Sequence, residues 1–538
     1  MTSPVKQLQP SATVPVSLAH LAVELGLAPA PAAGVVDGSA ASAALGDVTV
    51  TGVTVASDEA VPGDLFVGVP GFRAHGARFA AAAVEAGAVA VVTDEAGLEH
   101  VGGLDVPVLL TADPRRVAGL LADVVYGAPS DDLVTVAVTG TNGKTTTTYF
   151  VDAALRAGLG PVALLGTVEI RLGEVSLESP RTTLEAPALH RVLAAAREGG
   201  VAALVTEASS QGIALHRLSG VRFDVVVFTN LQRDHLDFHH TMEEYFAAKA
   251  SIFDPAQAAR GVVVVDDEWG ARLARTSPIP VTTVSTHVGD ASEAAVAADW
   301  RVLQADIGLD GVGSTFQLRG PDGAVHEAHS PLPGLVNVTN AATAIATAVA
   351  SGVAVDVAID AVASASAIPG RMERVVERGH GLPLCIVDYA HTPDALVYAL
   401  EAVRPITPGR LVAVLGSDGD RDQGKRPMLG EIAARLADVV VVTDENPRSE
   451  EPGAIRAAIL EGARQVRPDL ADVVEVTTSR ADALRRAVGM AGEGDTVIVT
   501  GKGHEPTQEI AGVFHRYNDR DVYREVARAA GVPVAGDR

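Results

Sequence analysis

The chain has 538 residues, 47% of them hydrophobic, with 42 Lys+Arg against 67 Asp+Glu and a net charge of −25. That length suits about three domains of ~150–200 residues, and with aromatics at only 4% the cores must be built mostly from Ala, Val and Leu. So acidic a surface opposes non-specific binding to nucleic acid or to an anionic membrane, and an anionic substrate needs local basic residues to hold it.

The N-terminus, "MTSPVKQLQPSATVPVS", is polar and Pro-containing and lacks the charged-then-apolar layout of a secretory signal. A cytoplasmic location is expected. The first block holds short apolar strands and Ala-rich helices, as in "VTVTGVTVASDEAVPGDLFVGVPG" and "ARFAAAAVEAGAVAVVTDE", and ends at the turn-rich "YGAPSDD".

The second block opens with the strand "LVTVAV", a Gly-containing loop and a helix from about Thr145. Apolar runs then alternate with helical ones: "PVALLGTVEI", "ALHRVLAAAREGG", "VAALVTEAS", "FDVVVFTNL", "GVVVVDDE". Continuous apolar strands between helices mark a buried, mainly parallel sheet. Ser285–Ala328 is polar and alternating, as in an antiparallel insertion. The uncharged stretch from Leu332 to Val355 contains two Asn, several Thr and much Ala, so it reads as a core helix rather than a membrane span.

The third block repeats the α/β pattern from "LCIVDYA" to "TVIVTGKG", as in a second, Rossmann-like sheet. Its polar clusters follow its strands, where such sheets gather ligands. The single cysteine, Cys385, excludes an internal disulfide, and its apolar surroundings suit a packed core thiol. The expected fold is α/β in three domains. They are a smaller N-terminal α/β domain (1–131), a central P-loop ATPase-type domain (132–368) and a C-terminal Rossmann-like domain (369–538).

The loop "VTGTNGKTTTTYF" departs from the common G-x-x-x-x-G-K-[ST] pattern, because Val138 stands where the first glycine belongs and the glycine is Gly140. Backbone N–H groups of Gly140, Thr141, Asn142, Gly143 and Thr146 can wrap phosphate oxygens at a helix N-terminus. Lys144 can reach the β/γ-phosphates and the Thr145 hydroxyl can ligate Mg²⁺. Glu207, at the end of a strand, is placed to bind the same ion or to cap a helix. In "TNLQRDHLDFHH", His239 and His240 suit a solvated helix start, and His235 is the better metal ligand. Lys249 lies in the apolar helix "YFAAKASIF". A lysine there commonly snorkels; if buried, its pKa falls and its neutral amine can take up CO₂ as a carbamate.

"GTNGKTTT", "EASSQG", "NLQRDHLDFH", "AAKASIF", "PGRMERV" and "DYAHTPD" together resemble the Mur ligases, cytoplasmic enzymes that add amino acids to the UDP-MurNAc peptide precursor of peptidoglycan. The shortened loop is shared with folylpolyglutamate synthetase. "SDEAVPGDLFVGVPG" resembles the uracil-nucleotide end of the third and fourth ligases, and "GDRDQGKRP", "DENPRSEEP" and "GKGHE" resemble the third. The resemblance implies an acyl-phosphate ligase that uses ATP, two Mg²⁺ sites and carbamylated Lys249 to join meso-diaminopimelate to UDP-MurNAc-L-Ala-D-Glu. It implies a monomer without nucleic-acid or membrane partners.

By the same resemblance, Asn337, Asn340, Arg371 and Asp388 contact the nucleotide. Glu207, His235 and modified Lys249 hold metal with Thr145. Ser57 meets the uridine end, and Thr182, Thr183, Ser209 and Arg217 meet the muramoyl dipeptide. Arg421, Asn446, Pro447, Arg448, Gly501 and Glu505 bind the incoming amino acid. The family's D-N-P-R motif reads "ENPR" here, with Glu445 in place of Asp. Arg448 suits the second carboxylate of diaminopimelate by a guanidinium fork, whereas Glu445 could reshape the pocket toward lysine or ornithine. The other readings are a folylpolyglutamate-synthetase-like ligase, a regulatory P-loop ATPase, and an amidohydrolase-like metal site.

Overall fold

The computed structural model describes residues 4–30, 45–287, 293–308 and 313–532. Three main sheets divide the chain. In the first, five strands lie in the order Ala28–Pro29, Val108–Leu110, Ala90–Thr93, Asp64–Val67, Gly52–Thr54. Helix Pro114–Val125 packs beside it, capped by the Asp113 carboxylate and with Pro114 at its first turn.

The central sheet has eleven strands. Its middle runs Val162–Leu165, Ala203–Glu207, Val134–Thr139, Phe223–Phe228, Ala258–Val264, all parallel. Alternate side chains of Val134–Thr139 enter two different cores. Val136 and Val138 pack with Phe150 and Ile345, and Ala137 packs with Leu189, Val192 and Tyr245. Helices Lys144–Leu159 and Leu335–Ala350 cover one face, and Ala186–Glu198 and Met242–Ala250 cover the other. Burial on both faces explains the unbroken apolar runs of these strands.

"PVALLGTVEI", expected as one strand, is two. Val162–Leu165 and Glu169–Leu172 pair antiparallel across a turn closed by Gly166 N–H to the Glu169 carbonyl, 3.1 Å. The polar Gly166-Thr167 pair breaks the run where the chain meets Glu207; a Cβ on Gly166 would lie 2.5 Å from that carboxylate. The alternating segment is antiparallel over Trp300–Ile307, Ser314–Arg319 and Val325–Ser330; its residues 288–292 and 309–312 lie outside the described set. The uncharged stretch forms helix Leu335–Ala350, buried along most of its length with Leu335 exposed at its start, and no helix among the described residues is long and apolar enough to cross a membrane.

The C-terminal sheet has the order Glu373–Val376, Leu384–Val387, Thr496–Val499, Leu411–Leu415, Val439–Val442, Val473–Glu475, parallel except for the first strand. Cys385 is buried in it, and burial pushes its thiol up to about 12, as expected of an inert core group. A hairpin, Thr507–Ile510 with Val513–Arg516, stands beside the ends of the strands. The N-terminal tail is anchored: Val5 and Leu8 are buried in the central core, and Ser11 hydrogen-bonds Glu198.

Candidate active site

Parallel pairing brings the carboxyl ends of Val134–Thr139, Ala203–Glu207 and Phe223–Phe228 side by side, and the loop 140–143 is folded over them. Two glycines permit this path. Gly140 (φ 144°) and Gly143 (φ 87°) have backbones that side-chained residues avoid, and a Cβ would collide with the Thr229 hydroxyl at Gly140 and with the Asn340 amide oxygen at Gly143. The next strand's end fixes the loop from outside. Thr141 N–H donates to the Asn230 carbonyl (2.9 Å), Asn142 N–H to Asn230 Oδ1 (2.9 Å), and Asn142 Nδ2 to Gln232 Oε1 (2.6 Å).

Helix Lys144–Leu159 begins at the loop, so its unpaired N–H groups and positive end face the same cavity. Lys144 Nζ folds back to donate to the carbonyls of Gly140 and Thr141, both at 2.9 Å. Thr145 Oγ1 donates to Glu207 Oε1 (3.0 Å) and accepts from Arg371 Nη2 (2.8 Å). Glu207, 1% exposed, is otherwise met by neutral donors, the Thr167 N–H (2.7 Å) and hydroxyl (3.0 Å). A buried carboxylate beside a hydroxyl, its hydrogen-bond donors all neutral, fits a hard divalent cation.

His235 stands at φ 52° before the short helix Leu236–His239, its Nε2 3.4 Å from Asp234. Burial first, and then the nearby lysines, hold its imidazole down near 4 against the pull of Asp234, leaving a neutral nitrogen able to ligate. Lys249 is fully buried rather than snorkelling. Its Nζ donates to the Gly140 carbonyl at 2.7 Å and lies 4.6 Å above the Tyr245 ring. Burial, reinforced by Lys144, pushes its pKa well below that of an ordinary lysine. Among the described residues, no three His, Cys, Asp or Glu side chains form a metal cage, so a metal there would need Thr145, water, substrate oxygens or a modified Lys249. His239 corrects the sequence expectation: it is buried, stacked on Tyr245 (5.1 Å) against Phe238, and only His240 is exposed.

Residues 141–146, Thr182, Glu207, Ser209, His235, Asn337, Asn340, Arg371 and Asp388 line one cavity of about 220 Å³. Asn337 and Asn340 sit in the first turns of Leu335–Ala350, joined by Asn340 Nδ2 to Asn337 Oδ1, 3.1 Å. Asp388 accepts from Met372 and Ala390 N–H (2.7 and 2.8 Å). Arg371 stacks 4.3 Å from the Tyr389 ring centre. Behind the cavity Thr183 Oγ1 donates to the Glu207 carbonyl (2.9 Å) and meets Ser209 Oγ (3.0 Å), while Arg217 pairs with Glu185 (3.1 Å). Ser57 lies apart, in the turn after Gly52–Thr54. The C-terminal sheet closes the cavity through Gln232 to Tyr398 (2.7 Å), Arg233 to Asp422 (3.4 Å) and His504 to the Thr167 carbonyl (3.2 Å).

Strand ends of that sheet assemble a second group. Lys502 Nζ, wholly buried, donates to Asn446 Oδ1 (2.9 Å), Glu505 Oε2 (2.8 Å) and the Thr507 carbonyl (2.7 Å), and Asn446 Nδ2 donates to Glu505 (3.0 Å). Glu445 is buried against Gly501, whose added Cβ would strike its carboxylate. Burial, then Asp418, raises the Glu445 carboxyl to about 8. Pro447 is buried, Arg448 takes φ 54° and pairs with Asp418 and Glu509, and Arg421 is exposed on its loop. Thr167, Asp234, Tyr389, Lys502 and Glu509 were not singled out from the sequence. Lys502 stood inside the quoted "GKGHE" and Asp234 inside "NLQRDHLDFH", but Thr167 was hidden in a run read as strand.

Residues 49–126 match the Mur ligase family catalytic domain, 138–348 the Mur ligase middle domain, and 370–503 the Mur ligase glutamate ligase domain. The UDP-N-acetylmuramoyl-L-alanyl-D-glutamate–2,6-diaminopimelate ligase of Streptomyces coelicolor is 44% identical over 95% of this chain and 96% of its own. A UDP-N-acetylmuramyl-tripeptide synthetase of Leifsonia xyli subsp. xyli is 46% identical over 90% and 93%. A solved structure of a 2,6-diaminopimelate ligase with the same full name superposes with a TM-score of 0.62 at 29% identity, over 97% of this chain and all of that one. With its phosphate loop, its buried Glu207 and its three matched domains, the chain belongs to the Mur ligase family of ATP-dependent, amide-bond-forming ligases.

Proposed function

We propose that this protein joins meso-2,6-diaminopimelate to the D-Glu carboxylate of UDP-MurNAc-L-Ala-D-Glu, consuming ATP, as a cytoplasmic monomer divided near residues 131/132 and 368/369. The observation that carries this reading is the 44% identity, over nearly the whole of both chains, to the diaminopimelate ligase of Streptomyces coelicolor. The "ENPR" and "GKGHE" segments, close together in space, support it.

ATP lies along loop 140–146, with Asn337, Asn340, Arg371 and Asp388 at its nucleoside end and Lys144 turned from its own loop carbonyls to the β/γ-phosphates. The D-Glu carboxylate, held beside Thr182, Thr183, Ser209 and Arg217 with the uridine end at Ser57, attacks the γ-phosphorus. ADP leaves and an acyl phosphate forms. The amine, oriented by Asn446, Arg448, Gly501 and Glu505, attacks the acyl carbon and phosphate departs. Positioning and electrostatic stabilisation supply most of the rate in such transfers. Two bound Mg²⁺, held by Thr145, Glu207, His235 and the carbamate of Lys249, would neutralise charge on the phosphoryl oxygens. The neutral amine that burial enforces on Lys249 is the form that adds CO₂.

A second reading, L-lysine or L-ornithine as the amine, is favoured by one observation: the Arg448 guanidinium is already paired with Asp418 and Glu509. The test is incubation with ATP, Mg²⁺ and UDP-MurNAc-L-Ala-D-Glu plus each amine separately, following phosphate release and tripeptide mass. Tripeptide with diaminopimelate is expected. Phosphate release that needs no amine would favour a regulatory ATPase and defeat the proposal.

A further inference from the structure

The Arg448 guanidinium is suited to a second carboxylate, and its surroundings are unusual. Its Nη2 lies 3.1 Å from Asp418 Oδ2 and its Nη1 3.4 Å from Glu509 Oε2, one carboxylate on each arm of the fork. Its Nε is buried with no hydrogen-bond partner among the described residues. The backbone of Glu509 is fixed beside Arg448. Its carbonyl accepts the Arg448 N–H (3.0 Å), its own N–H donates to Asn446 Oδ1 (3.2 Å), and the Ala511 N–H donates to the Arg448 carbonyl (2.7 Å). The hairpin strand Thr507–Ile510 is therefore laced to the "ENPR" loop by backbone, and the Glu509 side chain is delivered to the guanidinium by that lacing. Nor is Glu509 neutralised by the neighbouring lysine: all three Lys502 donors are spent on Asn446, Glu505 and Thr507.

We propose that Glu509 sets amino-acid specificity, its carboxylate competing with the distal carboxylate of the incoming diamino acid for Arg448. Diamino acids that lack that carboxylate, L-lysine and L-ornithine, are then admitted alongside meso-diaminopimelate. The inference rests on the ligase function proposed above. Asp418 is not the competitor, because it makes the shorter contact and its second oxygen is buried without a hydrogen-bond partner among the described residues. Glu509 holds the longer contact from a two-stranded hairpin whose turn, Ala511 and Gly512, and whose facing residues Val513 and Phe514 are exposed, so its side chain is the partner an incoming carboxylate displaces.

The experiment compares kcat/KM for meso-diaminopimelate, L-lysine and L-ornithine in the wild type and in Glu509→Gln. With one like charge removed from beside the docking carboxylate, KM for diaminopimelate falls about fivefold, while KM for lysine and ornithine stays or rises. Glu509→Asp, which retracts the carboxylate by one methylene, shifts the ratio in the same direction and serves if the glutamine variant is unstable. An unchanged ratio, or all three amines moving together, overturns the inference and leaves the ligase function standing. No tripeptide from the wild type with any amine removes both.

Discussion

Replacing Lys502 by Met separates amino-acid binding from nucleotide binding. The ammonium is wholly buried and makes three hydrogen bonds of 2.7–2.9 Å, one to a carboxylate that is 30% exposed. Hydrogen bonds to charged groups contribute about 1.5–3 kcal/mol each, and breaking a buried pair from one side costs about 3–5 kcal/mol. Glu505 can turn to solvent and Asn446 keeps the Glu509 N–H, so we place the loss near the lower end, at about 3 kcal/mol. If Asn446 and Glu505 orient the amino acid, most of this loss appears as KM for the amine, raised about 100-fold at 1.4 kcal/mol per factor of ten. KM for ATP and for the UDP-dipeptide stays within about twofold of wild type, since the cavity at Glu207 is built by other strands. Steady-state phosphate release with each substrate varied in turn reads all three constants, and thermal melting checks that the variant is folded. Equal rises in the amine and ATP constants, or an unchanged amine constant in a folded variant, would refute this reasoning.

Lys249→Ala loses at least about 100-fold in kcat by removing a charge at the phosphoryl site, and short carboxylates such as formate restore part of it; a variant that stays active without them speaks against the carbamate. Asp123 sits between helices Pro114–Val125 and Ala186–Glu198, 3.6 Å from His190, whose imidazole is neutral because burial lowers it to about 4. Burial, then Asp131 and Glu24, raise the Asp123 carboxyl from 3.8 to about 6. The folded state therefore favours the protonated acid, and its contribution is complete below pH 3.8 and lost as pH rises through about 6. Asp123→Asn gains up to about 2–3 kcal/mol in urea unfolding at pH 8 and far less at pH 4; equal gains at both would disprove the assignment. Arg480 and Asp519 form a fully buried two-pronged pair at 2.8 Å. Arg480→Met alone costs about 3–5 kcal/mol, and adding Asp519→Leu recovers part of the loss, so strictly additive losses in denaturant would show that the two do not act as a pair.

What sequence patterns reveal here is local. The glycine spacing of loop 140–143, the apolar strands of the two parallel sheets and the core helix Leu335–Ala350 were legible because each arises from sterics or burial within a few residues. The contacts that matter most at the pocket join distant segments: Arg448 with Glu509, His504 with Thr167, Gln232 with Tyr398. No periodicity encodes such pairs. His239 misled for a related reason. Polar neighbours made it look solvated, but the stack on Tyr245 depends on how Met242–Ala250 packs. Thr167 was invisible because a three-residue turn inside an apolar run leaves both flanks looking like strand.

The Gly140 carbonyl receives both Lys144 and Lys249. Two amines crowd one oxygen, and the charge state of each bears on the other. Converting Lys249 from neutral amine to carbamate would swing the local charge by one unit and set an anion beside Lys144. Lys144 would then leave the backbone for an anionic partner. On that reading, the supply of dissolved CO₂ would be an input to how readily this loop accepts a nucleotide.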